Sequence, residues 1–180
     1  MKKFLVLFFT AIVMFTALTP FVKAGEEQKN GRWFNPKMLK TYIPSGHKRT
    51  EMMKHAFARW TKLTNDKVIF RYVSSPDTAN IVVHFVSVIP NADREIGLTR
   101  TRGLSNGKII YAEVYIADKT AKGKVLGKDS VFTVMLHEIG HAIGIIQHSN
   151  DPKSIMYPVE DDIQEILPSD LKTLAEIYGW

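Results

Sequence analysis

The 180-residue sequence contains no cysteine. Disulfide bonds, cysteine-rich zinc fingers, iron–sulfur clusters and thiol nucleophiles are therefore excluded together, and a metal ion would have to be held by His, Asp or Glu. The composition also lacks any bias typical of disorder, collagen or repeat arrays, since 45% of the residues are hydrophobic and 23% are charged. This length and composition indicate a single globular domain with a modest core.

A long apolar run occurs at the N-terminus, where residues 4–19 follow two lysines and precede Val22, Lys23 and Ala24. The basic start, the apolar stretch and the small residues near a cleavage position predict a signal peptide of residues 1–24, and hence a secreted, extracellular protein. The run is shorter than the ~20 residues that span a bilayer, so we expect no stable membrane anchor. A retained signal anchor is the alternative interpretation.

The rest of the chain divides into a short leader, residues 25–37, and a folded domain, residues 38–180. Removal of the signal peptide takes three lysines and no acid from a chain whose formal net charge is +6. The remaining positive charge is small, and the arginines near residue 100 lack interleaved aromatic residues, so the sequence predicts no binding of nucleic acid. We expect a monomer.

The folded domain alternates segments of strand and helix character. Segments rich in β-branched and aromatic residues predict strands at residues 39–43, 68–73, 81–88, 98–102 and 109–117. Helical periodicity predicts one helix containing residues 53–64, another over about 130–144, and a third that begins with Ser169 as its N-cap and ends near 178. This order indicates a mixed sheet with helices packed on it.

Two isolated histidines and one glycine-containing segment have simple structural interpretations. His55 shares its helix face with cationic residues and is expected to face solvent, while His84 lies inside an apolar strand and is expected to be a hydrogen-bonded core residue. Residues 123–130 resemble a phosphate-binding loop, but only three residues separate the two glycines instead of four, and Asp129 follows the lysine where Ser or Thr is required. We interpret that segment as a turn.

A metal-binding pattern occurs in the second predicted helix, where His137-Glu138 is followed by His141. Residues four apart on a helix are separated by about 40° and one turn, so the two imidazoles project side by side and can bind one ion. Glu138 is offset by about 100° from His137, which places its carboxylate near the open side of the ion.

The residues after this pattern complete the predicted site. Gly144 falls where the helix must end and allows the chain to turn back toward the ion. His148 then supplies a third nitrogen ligand on the returning loop. Three protein ligands leave one position for a water molecule, which is typical of catalytic rather than structural zinc, and Glu138 is suited to take a proton from that water.

These motifs, together with the later segment Ser154-Ile155-Met156-Tyr157-Pro158, resemble a known family. The matrixins, the matrix-metalloproteinase-like branch of the metzincins, share the signature H-E-x-x-H-x-x-G-x-x-H followed by a turn that contains methionine. The resemblance covers residues 39–179. It implies a zinc-dependent endopeptidase in which Met156 forms a hydrophobic floor beneath the metal ion.

The resemblance also implies a fold and a substrate cleft. The expected fold is α+β, a metzincin-like catalytic domain with a twisted mixed five-stranded sheet, one antiparallel edge strand and three helices. A protein or peptide substrate is expected to pair with the edge strand at Gly97, Leu98 and Thr99. Tyr157 and Pro158 are expected to form part of the wall of a pocket for an apolar side chain.

The spacing of the third ligand departs from the matrixin pattern. The family's third histidine comes three residues after the glycine, where this chain has Gln147, and His148 follows one residue later. We favour His148, because a neutral imidazole is a better zinc ligand than an amide oxygen and because His148-Ser149 keeps the family's usual pair. Gln147 and, less favoured, Asp151 are the other candidates.

Two further departures concern latency and additional metal ions. The family's pro-segment carries a cysteine that caps the zinc, and no cysteine is present here. Fold-back of Glu26 or Glu27 onto the zinc is one hypothesis for latency. Residues 87–110 contain no histidine and one aspartate, so we do not expect the second zinc of animal matrixins, whereas calcium binding is compatible with the sequence without being indicated by it.

Two functions fit the sequence. The first is a secreted endopeptidase with one catalytic Zn²⁺ and Glu138 as the base. The alternative is a catalytically silent secreted zinc-binding or adhesion module with the same fold. The presence of Glu138 favours the enzyme, because metal binding alone does not require this residue.

Overall fold

The structure, a computed structural model, describes residues 22–23, 30–89, 95–103, 106–158 and 164–180. The predicted signal peptide, apart from Val22 and Lys23, lies outside these residues, as do Glu26 and Glu27. Among the helices of the described residues, none has the length and apolar character needed to cross a membrane.

Within the described residues, seven strands form one mixed sheet. They are β1 (Val22–Lys23), β2 (Arg32–Trp33), β3 (Leu39–Tyr42), β4 (Phe70–Tyr72), β5 (Ile81–Val86), β6 (Gly97–Gly103) and β7 (Lys108–Ala117). Their order is β1-β6-β7-β5-β3-β4, and β2 pairs with β7. Strands β3, β4, β5 and β7 are parallel, whereas β6 is antiparallel to β7 and the two-residue β1 is antiparallel to β6.

The strands longer than two residues, β3 to β7, match the five segments predicted from the sequence. The α+β fold with a mixed sheet and an antiparallel strand beside its edge is confirmed. Ile81, Val82 and Val83 of β5 are each at most 2% exposed. Such burial of consecutive residues is expected for a parallel strand that is covered on both faces.

In the part of the chain that the structure describes, three α-helices accompany the sheet: α1 (Thr50–Leu63), α2 (Lys128–Ala142) and α3 (Pro168–Tyr178). Helix α1 buries Phe57 and Trp60 completely, while His55 is exposed as predicted. The indole N–H of Trp60 donates a hydrogen bond of 2.9 Å to the carbonyl of Leu136 in α2. Helix α1 therefore supports the helix that carries the metal-binding pattern.

The N-cap of helix α3 lies two residues earlier than predicted. Pro168 is its first residue and Leu167 its N-cap, so the assignment of Ser169 as the N-cap is wrong. Proline suits the first helical position because its φ is already helical and its missing N–H would have no partner there. The carboxylate of Asp170 accepts a hydrogen bond of 2.8 Å from the backbone N–H of Leu167.

The face of the sheet opposite α1 and α2 carries the second isolated histidine. His84 stacks on Tyr115 with ring centroids 4.5 Å apart. Its side chain is 35% exposed, and its Nε2 lies 3.3 Å from Oε1 of Glu113. The prediction that His84 is a core residue is therefore wrong. Successive side chains of a strand point to opposite faces, so Val83 enters the main core and His84 does not.

Candidate metal centre

Helix α2 presents His137 and His141 on one side, with ring centroids 4.6 Å apart. The two residues are only 4% and 3% exposed. Nδ1 of His137 lies 2.6 Å from the carbonyl oxygen of Ile155, and Nδ1 of His141 lies 2.7 Å from that of Ile145. Because a carbonyl oxygen only accepts hydrogen bonds, we assign the hydrogen to each Nδ1, which leaves each Nε2 with a lone pair for a metal ion.

Burial keeps both imidazoles neutral. It lowers the pKa of His137 from 6.5 to about 4, although the hydrogen bond to Ile155 acts in the opposite direction. Burial lowers the pKa of His141 well below its usual value, and neighbouring His137 adds to this effect. Protons compete with a metal ion for the same lone pair, so these lowered pKa values make both side chains available as ligands at neutral pH.

Beyond α2 the chain turns at Gly144 and returns with His148. The φ angle of Gly144 is 122°, a value that favours glycine. The ring of His148 lies 5.3 Å from that of His137 and 5.0 Å from that of His141. The potential ligand atoms of the three histidines all lie within 4.8 Å of one another.

The carbonyl groups at the end of α2 accept hydrogen bonds from residues far away in the sequence. A helix leaves its last carbonyls without intrahelical partners, so such donors fix the position of the helix end. The three bonds are Trp33 Nε1 to the Ala142 carbonyl at 2.8 Å, the Tyr178 hydroxyl to Ile143 at 2.7 Å, and Gly31 N to Gly144 at 3.2 Å.

The segment of residues 30–33, which we call the N-terminal arm, also holds the loop before His148. Oδ1 of Asn30 accepts hydrogen bonds from the backbone N–H groups of Ile146 at 3.0 Å and Gln147 at 3.4 Å. On the other side of His148, the N–H of Ser149 donates to the carbonyl of Met156 at 2.8 Å. The loop is thus held on both sides of the third histidine. The contribution of Asn30 was not predicted from the sequence, and no local pattern around this residue indicates it.

Glu138 is 5% exposed and lies against strand β6. The hydroxyl of Thr99 lies 2.6 Å from its Oε2. A Cβ atom on Gly97 would collide with its Oε1. Strand β6 and helix α2 can therefore approach this closely only because residue 97 has no side chain.

Met156 lies directly beneath α2. It is 1% exposed, and a Cβ atom on Gly140 would collide with its Sδ. The turn around Met156 is fixed by Ser154, whose hydroxyl oxygen accepts from Met156 N at 2.9 Å and whose hydroxyl donates to Asp170 Oδ1 at 2.5 Å. Gly140 and Asp170 were not identified from the sequence as supports of this turn.

The residues expected to bind substrate surround this centre in different ways. Gly97, Leu98 and Thr99 are buried in β6. The side chain of Leu98 belongs to an apolar cluster on the far face of the sheet, so Leu98 can meet a substrate only through its backbone. Tyr157 is partly exposed and Pro158 is exposed beside the turn.

The donor set fits zinc. Three imidazole ligands are typical of zinc sites that keep an open coordination position. In such sites the second ring nitrogen often donates a hydrogen bond to a carbonyl, as it does in His137 and His141. The group of ligand atoms includes His148 and does not include Asp151, whose Oδ1 accepts a hydrogen bond of 2.9 Å from Lys153 N. Gln147 is exposed, and its backbone N–H is bound by Asn30.

Comparison with known proteins agrees with this geometry. The family model of the matrixins matches residues 37–179. A probable matrix metalloproteinase of Invertebrate iridescent virus 3 is 28% identical over 169 residues, which cover 88% of this chain and 43% of that protein. The macrophage metalloelastase of Oryctolagus cuniculus is 29% identical over 154 residues, covering 78% of this chain and 32% of that protein.

A third relative matches over a shorter stretch. The matrilysin of Felis catus is 35% identical over 66 residues, covering 34% of this chain and 24% of that protein. The chain thus spans less than half the length of each of these relatives. The family match nevertheless covers most of the chain, and the resemblance inferred from the sequence is confirmed. The chain belongs to the matrixin family.

Proposed function

We propose that this protein is a secreted zinc-dependent endopeptidase that hydrolyses peptide bonds of extended protein substrates. The observation that carries the proposal is the convergence of His137, His141 and His148 beside the buried carboxylate of Glu138. Membership of the matrixin family and the names of the relatives, which include metalloproteinases and a metalloelastase, support the same activity. Secretion is supported by the sequence of residues 1–24.

Each residue has a defined task in this proposal. His137, His141 and His148 hold the zinc ion through nitrogen. The carbonyls of Ile155 and Ile145 accept hydrogen bonds from Nδ1 of His137 and His141 and so keep these two rings in the tautomer that binds metal through Nε2. A bound zinc ion supplies a Lewis acid that polarises the scissile carbonyl and acidifies water. Glu138 accepts a proton from the attacking water and then donates it to the leaving nitrogen.

The edge of β6 is the proposed place of the substrate backbone. In the full chain, Val22 pairs with Thr101 and Lys23 with Arg100, both antiparallel, which supports the view that this edge accepts an added strand. Cleavage of the signal peptide after Ala24 would remove these two residues and open the edge. A substrate then pairs with β6 from Gly97 to Thr99, and Tyr157 and Pro158 form part of the wall of its side-chain pocket.

The test compares Glu138→Ala with wild type and with Glu51→Ala, which removes an exposed carboxylate from α1. General acid–base groups contribute about 10²- to 10⁴-fold to rate. We expect Glu138→Ala to keep one zinc per chain and to lose cleavage of casein by at least that factor, while Glu51→Ala matches wild type. Cleavage by Glu138→Ala at the wild-type rate would overturn the mechanism. Zinc binding without cleavage by wild type would instead identify a silent zinc-binding module.

A further inference from the structure

The hydroxyl of Thr99 lies within hydrogen-bonding distance of the carboxylate of Glu138. Thr99 Oγ1 lies 2.6 Å from Oε2 and 2.9 Å from the backbone carbonyl oxygen of Glu138. Both atoms are acceptors, and the hydroxyl has one hydrogen. We place that hydrogen on the shorter contact, because hydrogen bonds to charged oxygens are shorter and stronger than those to neutral ones.

The strand brings this hydroxyl to the carboxylate by its register. Thr99 pairs with Val114 of β7 and is 1% exposed. Residues two apart in a strand share a face, so Gly97 presents its bare Cα to the same carboxylate. Gly97 and Thr99 therefore contact the carboxylate of Glu138 together: Gly97 leaves room for it because it has no side chain, and Thr99 donates a hydrogen bond to it.

We propose that Thr99 is a positioning residue that holds the carboxylate of Glu138 in the orientation required for proton transfer. This inference rests on the proposed function of Glu138 as the base. A glutamate side chain has several rotatable bonds, and fixing them costs conformational entropy. The hydrogen bond from Thr99 fixes the carboxylate in the folded protein, so this cost does not add to the barrier of the reaction. A displacement of a catalytic group by about 1 Å can reduce the rate about 100-fold, so the hydroxyl acts on turnover and not on substrate affinity.

The kinetic test deletes and restores the hydroxyl. Thr99→Val keeps the shape of the side chain and removes the donor, whereas Thr99→Ser keeps the donor. We expect kcat of Thr99→Val to fall about 10- to 100-fold with KM within about twofold, and kcat of Thr99→Ser to remain within about threefold of wild type. Thr101→Val is the matched control, since Thr101 lies on the same strand and face and is also buried, at 7% exposure.

A second measurement does not depend on turnover. In metal-free protein, Thr99→Val should lower the urea midpoint of unfolding by about 1 M, because a buried carboxylate loses its donor. The same substitution in a Glu138→Ala background should change the midpoint much less, and Thr101→Val should give the same shift in both backgrounds. Should Thr99→Val fail to fold, Thr99→Ala removes the same donor.

The outcomes separate this inference from the proposed function. If zinc-loaded wild type cleaves no peptide, the proposed function is wrong, and the urea cycle then reports only whether the contact exists. If wild type cleaves and Thr99→Val keeps the wild-type kcat, or if Thr99→Ser is as slow as Thr99→Val, the positioning role is wrong. Equal midpoint shifts of Thr99→Val in both backgrounds would show that the hydroxyl does not act through Glu138.

Discussion

The two halves of the candidate metal centre are held in different ways. His137, Glu138 and His141 lie on one helix, are at most 5% exposed, and are related to one another by helical geometry alone. His148 lies on an exposed part of the loop that follows, and this loop is fixed by contacts from the N-terminal arm and from α3. The helical half is thus locally determined, whereas the loop half depends on distant parts of the chain.

This difference matters for the assignment of the third ligand. The loop is one residue longer before its histidine than the matrixin signature, and the position at the family spacing is Gln147. Asn30 binds the backbone N–H groups of Ile146 and Gln147, which accounts for how the longer loop keeps a defined shape. The ring of His148 then reaches the other two histidines.

The largest effect is expected from removal of a ligand in either half. Loss of residues that only support zinc ligands typically weakens zinc binding 10- to 100-fold, so we expect His141→Ala and His148→Ala each to weaken it by more than about 100-fold. Gln147→Ala should bind zinc within about threefold of wild type. Zinc affinity is measured by competition with a chelator. The reverse pattern, with Gln147→Ala impaired and His148→Ala intact, would assign the third position to the glutamine.

An intermediate effect is expected where the two halves join, at Gly144. Alanine there is strained by the positive φ angle and would also collide with the carbonyl of Gly31. We expect Gly144→Ala to reduce the free energy of unfolding by at least about 2 kcal/mol. Gly107→Ala is the matched control, because its φ of 77° is also positive but no atom lies near the added Cβ; it should cost about 1 kcal/mol.

Urea denaturation of the metal-free proteins measures both variants. Equal losses for Gly144→Ala and Gly107→Ala would mean that the N-terminal arm can withdraw from the loop without cost. The N-terminal arm would then not stabilise the turn at Gly144, and the loop that carries His148 would depend less on distant parts of the chain than the contacts indicate.

The same contrast explains what could be predicted from the sequence. The helix with its two histidines and Glu138, and the strands on which the sheet is built, follow from periodicity, which is a local property of the chain. The hydrogen bonds of the N-terminal arm could not be predicted, because Asn30 and Trp33 bind backbone groups more than 100 residues away in the sequence. The role of Thr99 toward Glu138 was also missed, since it arises only when β6 packs against α2, and Thr99 was predicted solely as a substrate-binding position.

The smallest effect is expected from Asn30, which touches only the loop half. Asn30→Ala leaves two backbone N–H groups without their acceptor, and the loss of such a bond costs about 1 kcal/mol. Because these groups lie next to His148, we expect zinc to dissociate several-fold faster from Asn30→Ala, measured by transfer to a chromogenic chelator. Asn30→Asp keeps an oxygen acceptor and should dissociate zinc at nearly the wild-type rate. Asn30 binds the loop before His148 and not the helix that carries His137 and His141. If zinc dissociates from Asn30→Ala at the wild-type rate, the loop holds His148 in place without help from the N-terminal arm.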